Sequence, residues 1–167
     1  FLEMSLSKLL QLQIAENYFD VPSWQFRTLL APNMEDKVIV KPIGYTMLSD
    51  GRTVFTNLVN PKDLSMPYPW LFQKPILGGD DITCVFIAGN LYWYRSAFKS
   101  GEASIDWRIE IQTESESSWE SLEDSSTSSL EKSVRDFMNE VGLKYGRLDF
   151  IRDESGRIWF LECNVNG

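Results

Sequence analysis

The 167 residues carry a net charge of −8, 43% hydrophobic side chains, 13% aromatic ones, six Trp and no His. That content supports a core dominated by large side chains, the acidic balance weighs against a general nucleic-acid binder, which needs clustered Lys and Arg, and the lack of His leaves any catalysis to carboxylates, cations and backbone dipoles. No run approaches the roughly 20 apolar residues of a membrane span, no signal peptide opens the chain, and Cys84 and Cys163 are too few for a disulfide scaffold, so a reduced, cytoplasmic protein is expected; a chain that starts Phe1-Leu2-Glu3-Met4 and stops at Gly167, just after a strand pattern, reads as a fragment of a longer one.

Ser5 to Phe19 reads as a helix, capped by Ser5 or Ser7, with Leu6, Leu9, Leu10 and Ile14 as its apolar stripe. Val21-Pro22 ends it. Val38 to Val40 is a short β-branched strand closed by Lys41-Pro42. Gly44 to Gly51 reads as a loop, Thr53 to Leu58 as a strand, Asn60 to Pro69 as irregular connection, and Trp70 to Ile76 as extended chain. Ile82 to Ile87 and Leu91 to Phe98 flank the hairpin turn Ala88-Gly89-Asn90. Ile105 to Ile111 is a further strand, and Thr113 to Ser129, rich in Ser and Glu, reads as a mobile loop. Ser128 with Glu131 fits an S-x-x-E capping box. It opens a helix on which Leu130, Val134, Phe137, Met138 and Val141 recur at helical spacing, with Gly142 as C-cap. Gly146 to Arg152 and Arg157 to Asn164 are the last strands, joined at Asp153-Glu154-Ser155-Gly156. The sum is α+β with mainly antiparallel sheet, and there is no internal repeat.

The closing hairpin concentrates oxygen ligands. Alternation puts Ile158, Phe160, Glu162 and Asn164 on one face and Trp159, Leu161 and Cys163 on the other, and the second, apolar set is expected to pack on the core. A turn over Glu154-Ser155 pairs Asp153 with Gly156, which places Asp149 opposite Phe160 and diagonal to Glu162, at roughly 7–8 Å. Asp149, Glu162 and Asn164 then form a set of hard oxygen donors suited to a magnesium ion shared with phosphates. Two acids on such a strand are costly unless a cation neutralises them. On spacing alone, a solvated hairpin edge with scattered charges remains open.

The run Leu143-Lys-Tyr-Gly-Arg-Leu-Asp149-Phe-Ile followed by Gly156-Arg-Ile-Trp-Phe-Leu-Glu162-Cys-Asn164-Val-Asn-Gly167 resembles the end of an ATP-grasp ligase, and more narrowly the microviridin-type (graspetide) peptide maturases. The resemblance implies that Asp149, Glu162 and Asn164 hold the magnesium ions that bridge the ATP phosphates. Val165 stands where the family usually has Pro.

Upstream, Lys41 projects from a strand end, where an ammonium can meet a phosphate. An ordinary strand-end lysine is the plain alternative; the resemblance makes Lys41 a phosphate contact. It does the same for Lys8, on a helix before the Val21-Pro22 step, although Ser7 replaces the usual Asn or Asp. Gly44 to Gly51 matches the loop that closes over the phosphates. Leu71-Phe72-Gln73-Lys74-Pro75-Ile76 resembles the adenine hinge, with Gln73, Lys74 and Ile76 beside the base and Asp81 near the nucleotide. Asp81-Ile82-Thr83 departs from the family's Asp-Ile-Arg by lacking the arginine. Arg95 matches an arginine that faces the γ-phosphate or acyl phosphate. Asp106-Trp107-Arg108 matches the maturase group most specifically, and Arg108 is a planar fork suited to phosphate or carboxylate. For both arginines a surface ion pair is the alternative, such as Arg108 with Glu110. Leu91-Tyr92-Trp93-Tyr94 lies where the family is thought to dock a leader peptide; edge packing is the plain reading.

The resemblance implies a two-lobed ATP-grasp fold: a leading helix over 1–19, a small lid lobe over 20–75 and a larger lobe with the magnesium hairpin over 76–167, with ATP between the lobes and the family's N-terminal domain absent. It implies an ADP-forming ligase with ATP and Mg2+, which activates a carboxylate as an acyl phosphate and makes ester or amide crosslinks in a ribosomal precursor peptide. That peptide is the expected partner; nucleic acid and membrane are not, and a homodimer is left open. Another carboxylate–amine ligase of the glutamate-adding kind remains open, as does a non-catalytic ATP- or peptide-binding module, which the missing arginine at Thr83 would favour.

Overall fold

The computed structural model describes residues 7–27, 37–42, 56–60, 69–76, 78–97, 119–123 and 125–165. Its elements are α1 (Lys8–Ala15), β1 (Trp24–Arg27), β2 (Val38–Lys41), β3 (Asn57–Val59), β4 (Trp70–Gln73), β5 (Asp80–Ile87), β6 (Asn90–Ala97), β7 (Glu120–Ser121), α2 (Ser125–Glu140), β8 (Tyr145–Arg152) and β9 (Ile158–Asn164). Two sheets result, ordered β1-β4-β2-β3 and β7-β6-β5-β8-β9. Every pairing between neighbouring strands in them is antiparallel. The chain forms two compact units, one of Phe1–Val21, Leu77–Ser100 and Glu116–Gly167, the other of Pro22–Ile76 and Gly101–Ser115. The α+β, mainly antiparallel architecture expected from the sequence is the one observed.

In the first unit, both helices pack on one face of the five-stranded sheet. Ser7 caps α1, its hydroxyl accepting from Leu10 N at 3.4 Å. The buried face of α1 is Gln11, Leu12, Ile14 and Ala15, displaced from the expected Leu6–Leu9–Leu10–Ile14 stripe. Gln11 turns inward because its Oε1 accepts from Cys163 N at 3.2 Å, which ties α1 to β9. Phe19, Phe137, Phe150 and Phe160 meet in one aromatic cluster: Phe19 stacks on Phe160 at 5.2 Å and crosses Phe150 edge-on at 5.4 Å. Phe137 touches Phe160 at 5.5 Å. Burying each such ring contributes on the order of 1.5–3 kcal/mol, with about 0.5–1.5 kcal/mol more per favourable ring pair.

Helix α2 starts at Ser125, one turn before the Ser128 box. Thr127, 4% exposed, extends the buried stripe back by three residues from Leu130, so packing carries the helix through a serine-rich segment of low propensity. Within the loop expected over Thr113 to Ser129, residues 125–129 are therefore helical. Glu120–Ser121 pair with β6, and Leu122 is buried with its N–H on Trp93 O at 2.9 Å. The remainder of that segment, the loop at 44–51 and the strand expected over 105–111 lie outside the described residues. The β5–β6 turn is two residues long, Ala88 (φ 47°) and Gly89 (φ 94°), with Asn90 already paired to Ile87. Two positive φ values match a type I′ turn, the hand that suits the strand twist. At the other end of β5, a Cβ on Gly79 (φ 96°) would lie 1.6 Å from Arg152 O, so only glycine fits there.

In the second unit, Val38, Val40 and Phe72 form the core, with Val59 and Trp70 against it. Ile39, Lys41, Leu71 and Gln73 share the opposite face of β2 and β4 and are buried as well. Strand β1 was not expected, although Trp24-Gln25-Phe26-Arg27 alternates as a strand does.

Candidate nucleotide and metal site

The β8–β9 hairpin differs from the simple register in two ways, and both move the acids. Its tip is one residue longer than expected: Asp153 N–H donates to Arg157 O at 2.9 Å, and Glu154-Ser155-Gly156 form the loop, with Gly156 at φ 86°. A bulge follows, because Phe150 pairs with Phe160 while Asp149 pairs with Glu162, leaving Leu161 as the extra residue. Asp149 therefore stands directly opposite Glu162, not diagonal to it. The bulge also changes the phase of β9. Phe160 (0% exposed) and Cys163 (5% exposed) both face the helices, in place of the expected Trp159–Leu161–Cys163 set. Glu162 and Asn164 face away, beside Asp149 and Arg147.

On that face the side chains interlock. Asn164 Nδ2 donates to Asp149 Oδ2 at 2.8 Å and to Glu162 Oε1 at 3.1 Å. Asp149 accepts from Arg147 Nε at 3.0 Å through Oδ1 and from Arg147 Nη2 at 3.2 Å through Oδ2. Thr83 Oγ1 donates to Asp149 Oδ1 at 2.9 Å. Lys8 Nζ lies 3.4 Å from Glu162 Oε2. Burial pushes the Asp149 carboxyl above the usual carboxylate range; Arg147 opposes that shift and the nearby Glu162 charge adds to it.

Sequence reading did not single out Arg147, and it noted Thr83 only as the position that lacks the family's arginine, not as a partner of Asp149. For Arg147 a signal existed, since Arg-x-Asp on one strand shares a face. For Thr83 the signal is the pairing of β5 with β8, in which Thr83 faces Asp149, and no local pattern announces it. Asp81 shares that face two residues upstream. Arg95 does not. It pairs with Ile82, a residue 1% exposed toward the helices. Strand alternation thus turns Arg95 away from the carboxylates, and it forms an exposed ion pair with Glu120 at 3.2 Å. Arg108 lies outside the described residues.

In the other unit, Lys41 is 6% exposed and Gln73 2% exposed. The pairing of Lys41 with Leu71 and of Ile39 with Gln73 makes them diagonal neighbours on one face. Gln73 Nε2 is buried with no hydrogen-bond partner among the described residues. Lys74 N–H is taken by Ser23 O at 2.8 Å, and Ile76 follows, half-buried, beyond the strand. The thiols offer no nucleophile: burial pushes Cys84 and Cys163 each up to about 12. Among the described residues no helix is long and apolar enough to cross a membrane.

No protein-family profile and no curated protein sequence matches the chain. Solved structures do. A RiPP-associated ATP-grasp ligase from Chryseobacterium gregarium, in complex with ADP and a leader and core peptide, superposes at TM-score 0.82 with 23% identity, over 99% of this chain and 53% of that one. The macrocyclase MdnC from Microcystis aeruginosa MRC, bound to the precursor peptide MdnA, superposes at 0.77 with 22% identity, over 99% of this chain and 54% of that one. A D-alanine–D-alanine ligase from Bacillus anthracis follows at 0.66 with 16% identity, over 97% and 57%. This chain has the ATP-grasp fold. It spans about half the length of each of these proteins.

Proposed function

We propose that this chain is the nucleotide-binding part of an ATP-dependent, ADP-forming ligase that acts on a ribosomal precursor peptide, with the four-stranded unit as lid and the five-stranded unit as the magnesium-bearing lobe. The observation that carries the proposal is the pair of carboxylates, Glu162 buried and Asp149 half-buried, with the Asn164 amide between them. The Asn164 Nδ2 puts the positive end of its dipole where a cation would be held. A half-turn of the amide exchanges Nδ2 for Oδ1 and completes an all-oxygen donor set, which is the chemistry of Mg2+. Asp149, Glu162 and Asn164 would hold the metal, which supplies charge neutralisation for the ATP phosphates. The orphan donor on Gln73 fits a ligand that brings an acceptor, as the edge of adenine does.

The chain's own groups then position charge and do not exchange protons. Lys8 and Arg147 neutralise the two acids in this structure and stand ready to face phosphate oxygens beside them. Lys41 supplies a buried ammonium from the lid unit. A substrate carboxylate oxygen attacks the γ-phosphorus of ATP, the bond to ADP breaks, and the acyl phosphate forms. A hydroxyl or amine then attacks the acyl carbon, its proton passes to the departing phosphate, and phosphate leaves, giving an ester or amide. Positioning and electrostatics suffice for both steps, so a chain without His can support them. The peptide assignment draws on the fold neighbours, two of which hold peptides. The exposed Tyr92 and Tyr94, beside a groove of about 480 Å³ between β6 and the start of α2, offer it a surface. A non-catalytic binding module is the second reading, favoured by Thr83 in place of the arginine.

Calorimetric titration with Mg2+-ADP tests the site. Wild type should bind and Asp149→Asn should lose about tenfold to a hundredfold in affinity; equal affinities would remove the carboxylate pair from the site. ADP release from ATP that depends on an acidic peptide, and not on a free amino acid, would separate the maturase from the glutamate-adding ligase. Binding without release would select the non-catalytic module.

A further inference from the structure

Asp149 has two oxygens, and its neighbours use them differently. Oδ1 accepts from Thr83 Oγ1 at 2.9 Å and from Arg147 Nε at 3.0 Å. Oδ2 accepts from Asn164 Nδ2 at 2.8 Å, the same nitrogen that reaches Glu162 Oε1. The carboxylate is thus oriented, with Oδ1 toward β5 and Oδ2 toward β9. Arg147 cannot set that orientation alone, because it also contacts Oδ2 at 3.2 Å and holds the group as a symmetric fork would.

Thr83 can. It sits in mid-strand, paired with Tyr94 on one side and Asp149 on the other, so its backbone is fixed by two ladders. Its β-branched side chain has a restricted χ1, and it is 9% exposed. Its hydroxyl has a single proton to donate, with Asp149 Oδ1 at 2.9 Å and Leu148 O at 3.4 Å as acceptors; the nearer, charged one is the stronger partner.

We infer that Thr83 is a positioning residue of the metal site: its hydroxyl pins Asp149 Oδ1 to β5, which leaves Oδ2, beside Glu162 Oε1, as the oxygen presented to the divalent cation. The inference rests on the proposed metal site and deepens it, and it assigns a role to the position at which this chain departs from the arginine of its look-alikes. An arginine at 83 would bring a second guanidinium to the acids; threonine fixes the carboxylate without adding a charge that competes with the ion.

The test measures the ion itself, not turnover. Free Mn2+ is counted by electron paramagnetic resonance in titrations of the full chain with and without ADP, for wild type, Thr83→Val, Thr83→Ser and Asp149→Asn. Thr83→Val keeps the shape and removes the hydroxyl. It should weaken Mn2+ binding about fivefold to tenfold, with ADP binding in EDTA unchanged, and Thr83→Ser should recover most of the loss. A Thr83→Val protein that binds Mn2+ as wild type does, while Asp149→Asn does not, would overturn the role of Thr83 and leave the metal site standing. Wild-type Mn2+ binding by Asp149→Asn as well would overturn the metal site, and the role of Thr83 with it. A loss in Thr83→Val that Thr83→Ser fails to recover would assign the effect to packing and also overturn the inference.

Discussion

The two ends of the β8–β9 hairpin each carry an aspartate, and their surroundings are opposite. At the tip, Asp153 accepts from Ser155 N, Ser155 Oγ, Arg157 N and Trp159 Nε1. The Ser155 hydroxyl and then the Trp159 indole hold its carboxyl at about 2. Asp20 and Arg157 complete the tip with a side-by-side ion pair, and the Arg157 guanidinium lies 4.1 Å from the centre of the Trp159 ring. At the other end, burial pushes the Asp149 carboxyl up, and Glu162 beside it adds to the cost. Neutral donors from within the hairpin satisfy the tip. The base leans on the ammonium of Lys8, from α1, and the guanidinium of Arg147. A carboxylate that the fold stabilises is structural; one that the fold holds at a cost points to a ligand outside the chain.

Paired substitutions break this comparison most directly. Asp149→Asn should lose Mg2+-nucleotide affinity by about tenfold to a hundredfold, yet melt no lower than wild type in the absence of ligand. Asp153→Asn should bind Mg2+-nucleotide as wild type does and melt a few degrees lower. If both variants lose stability and both keep binding, the two ends do not differ in function. The next effect is smaller and lies in the other unit. Lys41→Ala should weaken ATP binding about tenfold, while Lys37→Ala, outside the strand, should change it little; calorimetry with Mg2+-ATP separates them.

The smallest effect is the pH dependence. The folded pKa of Asp153 lies below its unfolded value, so its contribution is full above the unfolded pKa and is lost as pH falls toward about 2. The folded pKa of Asp149 lies above its unfolded value, so its ionisation costs stability as pH rises through that range. Melting curves between pH 2 and 7 should therefore fall less steeply toward acid for Asp153→Asn than for wild type. A wild-type slope in that variant would sever Asp153 from acid stability.

Much of this was legible in the sequence. The β-branched run marked β2, the turn between them marked β5 and β6, and the turn and alternation of the last segment marked β8 and β9, while period 3.6 found both helices; β2, buried on both faces, shows no alternation to read. The acids and Asn164 stood out as hard ligands on an otherwise apolar strand. What escaped depends on hydrogen bonding at a distance. The longer tip loop sets the face of Phe160, and the bulge at Leu161 then brings Glu162 opposite Asp149, so neither could be read from parity. Thr83 joins the site only through the β5–β8 register. The first turn of α2 has the propensity of a loop and is helical because Thr127 is buried. For Arg95 the sequence did not show the face: its cross-strand partner Ile82 is a core residue, and directly paired residues share one face of a sheet.

The bulge also bears on how this strand is compared with others. Leu161 is the residue that the ladder skips, so a protein lacking it would keep the aromatic pair Phe150–Phe160 and the acid pair Asp149–Glu162 on their present faces, now in plain alternation. Two such sequences would disagree in hydrophobic pattern while agreeing in three dimensions. An alignment scored on pattern would slide one strand by a position and exchange its ligands for its core. A single gap placed at Leu161 brings both halves back into correspondence.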